Sequence, residues 1–340
     1  MPYHVVQPQV DCTTAEEFLD AISPLGAYFK NQKLNAPWLF RGQGTDKPLI
    51  PSLFRTDAKS KERLRLLTHH NIDKYEEIRL VEGDLITQFF EIADKRGLIL
   101  PDDSQDLRIF FEKIKNDEYE GMVKLGIKDW RIRDKGLSIM ALTQHYKIPT
   151  QLLDWTLNAF IAAFFAGEAA LDNDPSERLV VWAFYFPALG KQDESSRLFD
   201  PISIITAPKA TNTNLKAQQG VFTLLNFFYA REFSSEYTDQ YYGGDKFWQD
   251  LQECEMPGNS NISKGNYPPL DVLFEKLAQM EIPLPPKKKE LIRSCIFQKF
   301  TLPALEASRL LNLLAKYDVA PSTIYPGYHS IVSDIQMKNA

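Results

Sequence analysis

The stretch LNAFIAAFFAGEAALDNDPSERLVVWAFYF, residues 157–186, places an almost wholly apolar helix directly before an almost wholly apolar strand. Residues 157–171 predict a helix with almost no polar face, which must be buried, with Asp154 or Thr156 as its N-cap. We expect Phe160, Phe164 and Phe165 on it to be fully enclosed. Residues 179–186 predict a central strand, because the run is too continuously apolar for an exposed edge.

The flanking sequence supplies further elements of both types. Apolar spacing and breaker residues predict helices over 13–30, 75–92, 133–144 and 270–280 and another starting at Pro303, and strands over 38–41, 218–225 and 296–300. The strands are widely separated and lack hairpin dipeptides. The sequence therefore predicts an α+β fold, a mixed β-sheet core flanked by helices.

The organisation of the chain predicts one domain over residues 1–340. Within it, residues 55–130 are predicted to form a helical extension. Residues 231–289 are rich in Gly, Asn, Pro, Tyr and charge, which predicts a polar insertion over the surface of the core.

Composition excludes several classes of protein. The net charge of −6 and pI near 5.5 argue against a protein that coats nucleic-acid duplexes. No apolar run is long enough for a transmembrane helix and no secretory signal is evident, so we expect a cytoplasmic protein without a membrane partner. The three cysteines are scattered and no metal-binding or P-loop motif occurs, so no metal site is predicted.

Two short stretches combine functional side chains with turn residues. In the first, Arg41 ends a predicted strand and is followed by Gly42, Gln43 and Gly44. Arginine suits a phosphate or a carboxylate, and the glycines would let a ligand approach the backbone closely. The alternative is a structural arginine that bridges a buried carboxylate.

The second stretch is QHYKIPTQLLDWT, residues 144–156, a proline turn between two predicted helices. His145 is a candidate hydrogen-bond donor or general base, and Asp154 a candidate orienting or charge-stabilising carboxylate. The alternatives are that Asp154 only caps the next helix and that His145 is a satisfied polar loop residue.

With these motifs the sequence resembles the FRG domain family, named for the triplet found here at residues 40–42. The resemblance runs collinearly over roughly residues 38–332, and the matching stretches are residues 39–43, 51–55, 145–155, 164–166 and 324–327. The chain departs from the family at Lys147, where glycine is commoner, and at Gln151, where arginine is commoner. The family is widespread in bacteria and phage, which suggests an effector in antiphage defence or a toxin.

The arginine ending an early strand is also similar to the first motif of arginine-type ADP-ribosyltransferases. That analogy implies NAD as substrate, bound through Arg41, Gly42, Gln43, Thr150 and Gln218, with Arg41, His145, Asp154 and Gln219 as catalytic residues. These transferases also use a strand glutamate, and no matching Glu-x-Glu or Gln-x-Glu lies on a predicted strand. Either Asp154 replaces that glutamate, or the protein is not a transferase.

Two function classes therefore follow from the sequence. The first is an NAD-using, ADP-ribosyltransferase-like enzyme acting on a protein or nucleic-acid target. The second is a non-catalytic module that senses a nucleotide or another ligand and recruits a partner protein. A metal-dependent nuclease ranks last, because no paired carboxylates stand in the two motif stretches. Both leading hypotheses expect Arg41, His145, Asp154 and Gln219 to line a common cleft.

Overall fold

A computed structural model describes residues 4–26, 28–29, 37–68, 75–115, 129–188, 202–206, 213–225, 267–279 and 286–338. Its strands are β1 (Val10–Asp11), β2 (Trp38–Gln43), β3 (Leu153–Thr156), β4 (Arg178–Tyr185), β5 (Ile202–Ile205), β6 (Gly220–Leu225) and β7 (Ile296–Pro303). Its helices are α1 (Ala15–Ile22), α2 (Ala58–Thr68), α3 (Tyr75–Lys95), α4 (Gln105–Lys115), α5 (Asp129–His145), α6 (Ala159–Ala170), α7 (Thr213–Ala217), α8 (Leu270–Gln279), α9 (Pro286–Arg293), α10 (Ala307–Ala315), α11 (Pro321–Ile324) and α12 (Tyr328–Lys338). Short 3₁₀ turns occupy Ser52–Phe54 and Ala304–Glu306.

The strands form one mixed sheet in the order β1-β7-β4-β2-β3-β6-β5. β1 runs parallel to β7, and every other neighbouring pair is antiparallel. β4 lies inside the sheet between β7 and β2, as its apolar sequence predicts. The α+β prediction, a mixed sheet with helices around it, is confirmed.

Helices cover both faces of this sheet. On one face α1, α6 and α10 bury a core that includes Phe18, Phe164 and Phe300. On the other face Phe184 stacks on Phe297 with ring centroids 4.2 Å apart, within a core that also takes the apolar residues of α8. A third core joins α3, α4 and α5 to the β5–β6 end of the sheet.

The helix α6 begins later than the sequence predicts. Asn158, rather than Asp154 or Thr156, is its N-cap, and the Oδ1 atom of Asn158 accepts hydrogen bonds from Phe160 N at 2.9 Å and Ile161 N at 3.4 Å. Asp154 and Thr156 belong instead to β3, a strand that the sequence did not predict. The capping prediction for Asp154 is therefore wrong, because the residues that precede the helix form a strand and pair with β6.

The aromatic residues of α6 are also less uniform than expected. Phe164 is 1% exposed, as predicted. Phe160 and Phe165 are only partly buried. Phe160 packs against Tyr317 at the edge of the layer, with ring centroids 5.3 Å apart, and Phe165 lines a cavity. The prediction of full enclosure was wrong for these two residues.

Several strand bounds differ from those predicted. Gln218 and Gln219 form a turn after α7, and β6 starts only at Gly220. Pro303 is the last residue of β7 and the N-cap of the 3₁₀ turn Ala304–Glu306, which leads directly into α10 at Ala307, so the α-helix itself begins four residues after Pro303. β1 and β5 were not predicted, because two and four residues carry too little periodicity.

The two predicted subregions are described in part. Of the predicted helical extension, residues 69–74 and 116–128 lie outside the described residues; the described part forms the helices α2, α3 and α4, and α5 packs against α3 and α4. Of the predicted insertion, residues 231–266 and 280–285 lie outside the described residues. The described part includes α8, which matches the predicted helix and buries its apolar face in the central core. No helix in the described ranges is long and apolar enough to cross a membrane.

Candidate functional site

A cavity opens where two central strands separate. β2 pairs with β4 along its whole length, from Trp38 with Tyr185 to Gln43 with Val180, but it pairs with β3 only at Phe40 and Thr156. The cavity at this opening has a volume of about 470 Å³, within the range of about 300–1,000 Å³ that is typical of small-molecule sites. Its walls are Phe40, Arg41, Gly42, Gln144, His145, Lys147, Asp154, Trp155, Thr156, Phe165, Glu168, Ala169, Leu215, Gln218, Gly220, Phe222 and Tyr325.

Arg41 forms part of the floor of this cavity. It alternates along β2 with Phe40, which packs in the α6 core, so its side chain leaves the opposite face of the sheet. The side chain is 8% exposed, and its Nη1 atom donates to the carbonyl oxygen of Asp154 at 2.7 Å and to the Asp154 carboxylate at 2.6 Å. Nε of Arg41 is buried without a hydrogen-bond partner in the described residues. The guanidinium thus bridges β2 and β3 where their backbones no longer pair.

Asp154 presents its carboxylate to the cavity from β3. Besides Arg41, the side-chain amide of Gln144 donates to Oδ1 at 2.8 Å. Protein encloses the carboxylate on its sides, yet the open cavity leaves the side chain 61% exposed. Burial raises the pKa of Asp154, but the charges of Arg41 and Arg55 and the Arg41 hydrogen bond outweigh it, and the net pKa shift is downward. Asp154 is therefore ionised at neutral pH.

Gln144 was not among the predicted site residues, although it begins the motif stretch. The hydroxyl of Thr150 donates to Gln144 Oε1 and so fixes the amide with its NH₂ group toward Asp154. Thr150 itself is fully buried and does not line the cavity. Its position supports Gln144 rather than direct contact with a ligand.

His145 stands on the cavity wall at the last residue of α5. Its Nε2 atom lies 3.3 Å from the side-chain nitrogen of Asn214. Burial lowers the pKa of His145 below its ordinary value, so the ring is neutral at neutral pH. A neutral imidazole is able to accept a proton, as a general base must.

The predicted glutamines separate into two groups. Gln218 lines the cavity, and its carbonyl accepts from the Thr156 hydroxyl at 2.7 Å. Gln219, with a φ of 48°, turns its carbonyl to Leu157 N at 3.2 Å and is not a wall residue. Gln43 is buried and also lies away from the cavity wall. The common cleft thus contains Arg41, His145 and Asp154 but not Gln219.

Gly42 lines the cavity, yet its lack of a side chain serves helix packing. A Cβ atom at Gly42 would lie 1.8 Å from the Ala162 carbonyl oxygen of α6. Gly44 is constrained in the same way by Ala169 O at 2.5 Å. The glycines of the Phe-Arg-Gly region are thus required where α6 crosses β2.

Glu168 and Tyr325 line the cavity from the side of α6 and α11, and the sequence did not single them out as site residues. The hydroxyl of Tyr325 donates to Glu168 Oε2 at 2.6 Å. Burial, together with the neighbouring Glu168, raises the pKa of Tyr325, so the phenol stays protonated. The available signal was the Ile-Tyr-Pro-Gly motif at residues 324–327, which links Tyr325 to the other motifs.

The two departures from the family pattern have local explanations. Lys147 adopts a φ of 68°, a conformation that favours glycine, and its side chain lines the cavity. Gln151 lies away from the cavity, where its backbone nitrogen donates to buried Glu82 at 2.6 Å and its side-chain amide donates to the same carboxylate. The arginine that is usual at position 151 would face a buried carboxylate rather than the cavity.

A second guanidinium, that of Arg55, lies near enough to Arg41 and Asp154 to act on both electrostatically. Arg55 donates through Nε to Ile50 O at 3.1 Å and contributes to the lowered pKa of Asp154. Burial and the nearby positive charge of Arg41 lower the pKa of Arg55. Within the described ranges, no group of three or more His, Cys, Asp or Glu side chains is placed to hold a metal ion.

Residues 36–175 of the chain match the model of the FRG domain. The chain therefore carries an FRG domain, as its motifs predict. No curated protein and no solved structure matches the chain. The matched range includes the cavity residues from Phe40 to Ala169, whereas Leu215, Gln218, Gly220, Phe222 and Tyr325 lie after it. The cavity is thus completed by the C-terminal half of the chain.

Proposed function

We propose that this cavity binds a nucleotide, that NAD is the first ligand to test, and that the protein is an ADP-ribosyltransferase-like enzyme. The observation that carries the proposal is the Arg41 guanidinium, held at the floor of an open cavity with a second guanidinium, Arg55, close enough to influence it. Arginine is the side chain best suited to phosphate, because its planar fork donates two parallel hydrogen bonds.

The charge balance of the cavity supports an anionic ligand. Arg41 and Asp154 neutralise each other, which leaves Lys147 and Glu168 as the other charged wall residues, while Arg55, which is not a wall residue, adds positive charge near Asp154. The remaining wall provides apolar and aromatic surface, including Phe165 and Phe222, on which a flat base would pack. A phosphate beside Arg41 and a base against the aromatic wall together describe a nucleotide.

In the proposed reaction, the bond between C1′ of the ribose and the nicotinamide nitrogen breaks, and nicotinamide leaves with the bonding electron pair. An acceptor atom of a protein or nucleic-acid target then bonds to C1′ and loses its proton. His145, a neutral side chain on the cavity wall, would take that proton. Asp154 would stabilise the positive charge that develops on the ribose.

A specific contact favours a second candidate function, the non-catalytic nucleotide sensor. Asp154 is engaged by both Arg41 and Gln144, at 2.6 and 2.8 Å. A carboxylate paired with a guanidinium offers less charge to a transition state. In a sensor, a bound phosphate would compete with Asp154 for Arg41 and change the β2–β3 contact.

The purified protein incubated with NAD, with and without cell extract, tests these alternatives. The enzyme hypothesis expects nicotinamide release, and Arg41→Lys and Asp154→Asn both abolish it while the fold survives. The sensor hypothesis expects no release but binding of NAD by calorimetry, weakened by Arg41→Lys. Absence of both release and binding would refute nucleotide recognition at this cavity.

We also propose a role in bacterial antiphage defence or as a toxin. Expression of the wild-type chain in bacteria should slow growth or reduce phage plaque formation, and Arg41→Lys should remove the effect. Equal behaviour of the two proteins would argue against that role.

A further inference from the structure

We infer that Glu168 and Tyr325 form a second pole of the cavity that recognises the adjacent hydroxyls of a ribose, so that the ligand is a ribosyl phosphate lying between this pair and Arg41. This inference rests on the proposed nucleotide binding and deepens it. It assigns the two wall residues that the proposed reaction leaves without a role.

The pair is built from two distant parts of the chain. Glu168 lies one helical turn after Phe165 on α6, so both reach the same cavity wall. Tyr325 follows α11, and the neighbouring Ile324 carbonyl accepts from the Gln218 side chain at 3.4 Å. The tyrosine is further held against Phe164 and Phe165, with ring centroids 6.0 and 6.2 Å apart. The phenol is therefore a fixed donor that orients the Glu168 carboxylate.

The chemistry of the pair selects hydrogen-bond donors in a ligand. An ionised carboxylate only accepts hydrogen bonds and has about four acceptor sites. The Tyr325 hydroxyl uses one of them, at Oε2. An anionic group would be repelled here, whereas two neighbouring hydroxyls suit two carboxylate oxygens, as an acidic side chain binds the ribose in many nucleotide sites. Glu168 is exposed to the cavity and is accessible to such a ligand.

The cationic pole of the cavity has the opposite preference. It consists of Arg41 on β2 and Lys147, two residues after α5, whereas Glu168 and Tyr325 line the cavity from α6 and from the residue after α11. The Arg41 and Lys147 side chains are donors only and favour an anion. The cavity therefore has a cationic pole that suits a phosphate and a second pole that accepts hydrogen bonds from two hydroxyls. A ribosyl phosphate carries both groups.

Calorimetry with three probes tests the assignment: AMP, 2′-deoxy-AMP and inorganic phosphate. For the wild type we expect AMP to bind about tenfold or more tightly than 2′-deoxy-AMP, because a hydrogen bond to a charged group is lost. Glu168→Gln should weaken AMP and bring it level with 2′-deoxy-AMP, while phosphate binding stays unchanged. Tyr325→Phe should reduce the discrimination less, because the carboxylate remains but is no longer oriented.

Glu177→Gln is the matched control, since it removes one negative charge from an exposed position that is not on the cavity wall. It should leave all three affinities unchanged. Equal loss of AMP and 2′-deoxy-AMP affinity in Glu168→Gln would indicate a merely structural role and overturn the inference.

The failures of the two proposals are distinguishable. If AMP and phosphate bind and Arg41→Lys weakens both, but 2′-deoxy-AMP binds as well as AMP, nucleotide binding stands and only the ribose assignment fails. If none of the three probes nor NAD binds, the proposed function itself fails.

Discussion

The layer where α6 crosses β2 and β4 and the polar stretch from α5 through β3 are neighbours in space but differ in how their sequences specify structure. In the first, nearly every side chain is apolar, and burial alone explains its position. In the second, residues 144–156 include His145, Asp154 and Thr156, and the same polar residues are compatible with a cap, a turn or a strand. An apolar run is buried wherever the chain folds, so its environment can be predicted locally, whereas the conformation of a polar run depends on the residues that pair with it.

Among the variants compared here, Phe164→Ala should lower the free energy of unfolding most, because it removes a buried side chain from the apolar layer. Phe164 is 1% exposed, so the substitution should cost about 3–5 kcal/mol of unfolding free energy through lost burial and the cavity left behind. Phe165→Ala should cost less, because Phe165 is only partly buried, and should alter ligand binding instead. Urea unfolding curves of the two variants measure the contrast. Equal destabilisation would show that Phe165 belongs to the core rather than to the cavity wall.

Gly42→Ala tests whether the glycine is required by helix packing. The new Cβ would lie 1.8 Å from the backbone oxygen of Ala162, so α6 must shift, at a cost of about 3 kcal/mol. Gly167→Ala is the control, since its Cβ would meet no backbone atom of another element but only the side chains of Leu311 at 3.2 Å and Leu310 at 3.5 Å. Thermal unfolding should show a large loss for the first and little change for the second. A stable Gly42→Ala protein would point back to a ligand-related reason for this glycine.

Asn158→Ala tests where the polar stretch ends and the helix begins. Loss of the two hydrogen bonds to the first turn of α6 should cost about 1 kcal/mol. Asn158→Asp should preserve stability, because it keeps the acceptor and places a negative charge at the helix N-terminus. Denaturant unfolding provides the measurement, and a neutral Asn158→Ala variant would contradict the assigned cap.

Lys147→Gly has the smallest expected effect and the opposite sign. The φ of 68° is unfavourable for lysine and open to glycine, so relief of the backbone should stabilise the fold by about 0.5–1 kcal/mol. The same change removes a cation from the cavity wall and should weaken phosphate binding. Melting temperature and calorimetry together separate the two effects. Lys147→Ala keeps the backbone strain, so it should lose phosphate binding without the gain in stability.

Most of the fold and part of the candidate site could be predicted from the sequence. The buried helix, the central strand β4 and the helix Leu270–Gln279 follow from apolar periodicity, which is a local property. β3 was missed because its four residues include Asp154 and follow a proline turn. Of the predicted site residues, Arg41, Gly42, His145, Asp154 and Gln218 line the cavity, whereas Gln43, Thr150 and Gln219 do not.

The α+β class and the FRG domain follow from the sequence alone, because apolar periodicity and short motifs are properties of neighbouring residues. The separation of β2 and β3 after one paired position, and the Arg41 side chain that then connects β2 to Asp154 of β3, could be seen only in the folded structure. It also brought Glu168 to Tyr325, which are 157 positions apart. Such pairs are fixed by the crossing of α6 over the sheet and by the return of the chain after β7, and neither leaves a periodic trace in the sequence.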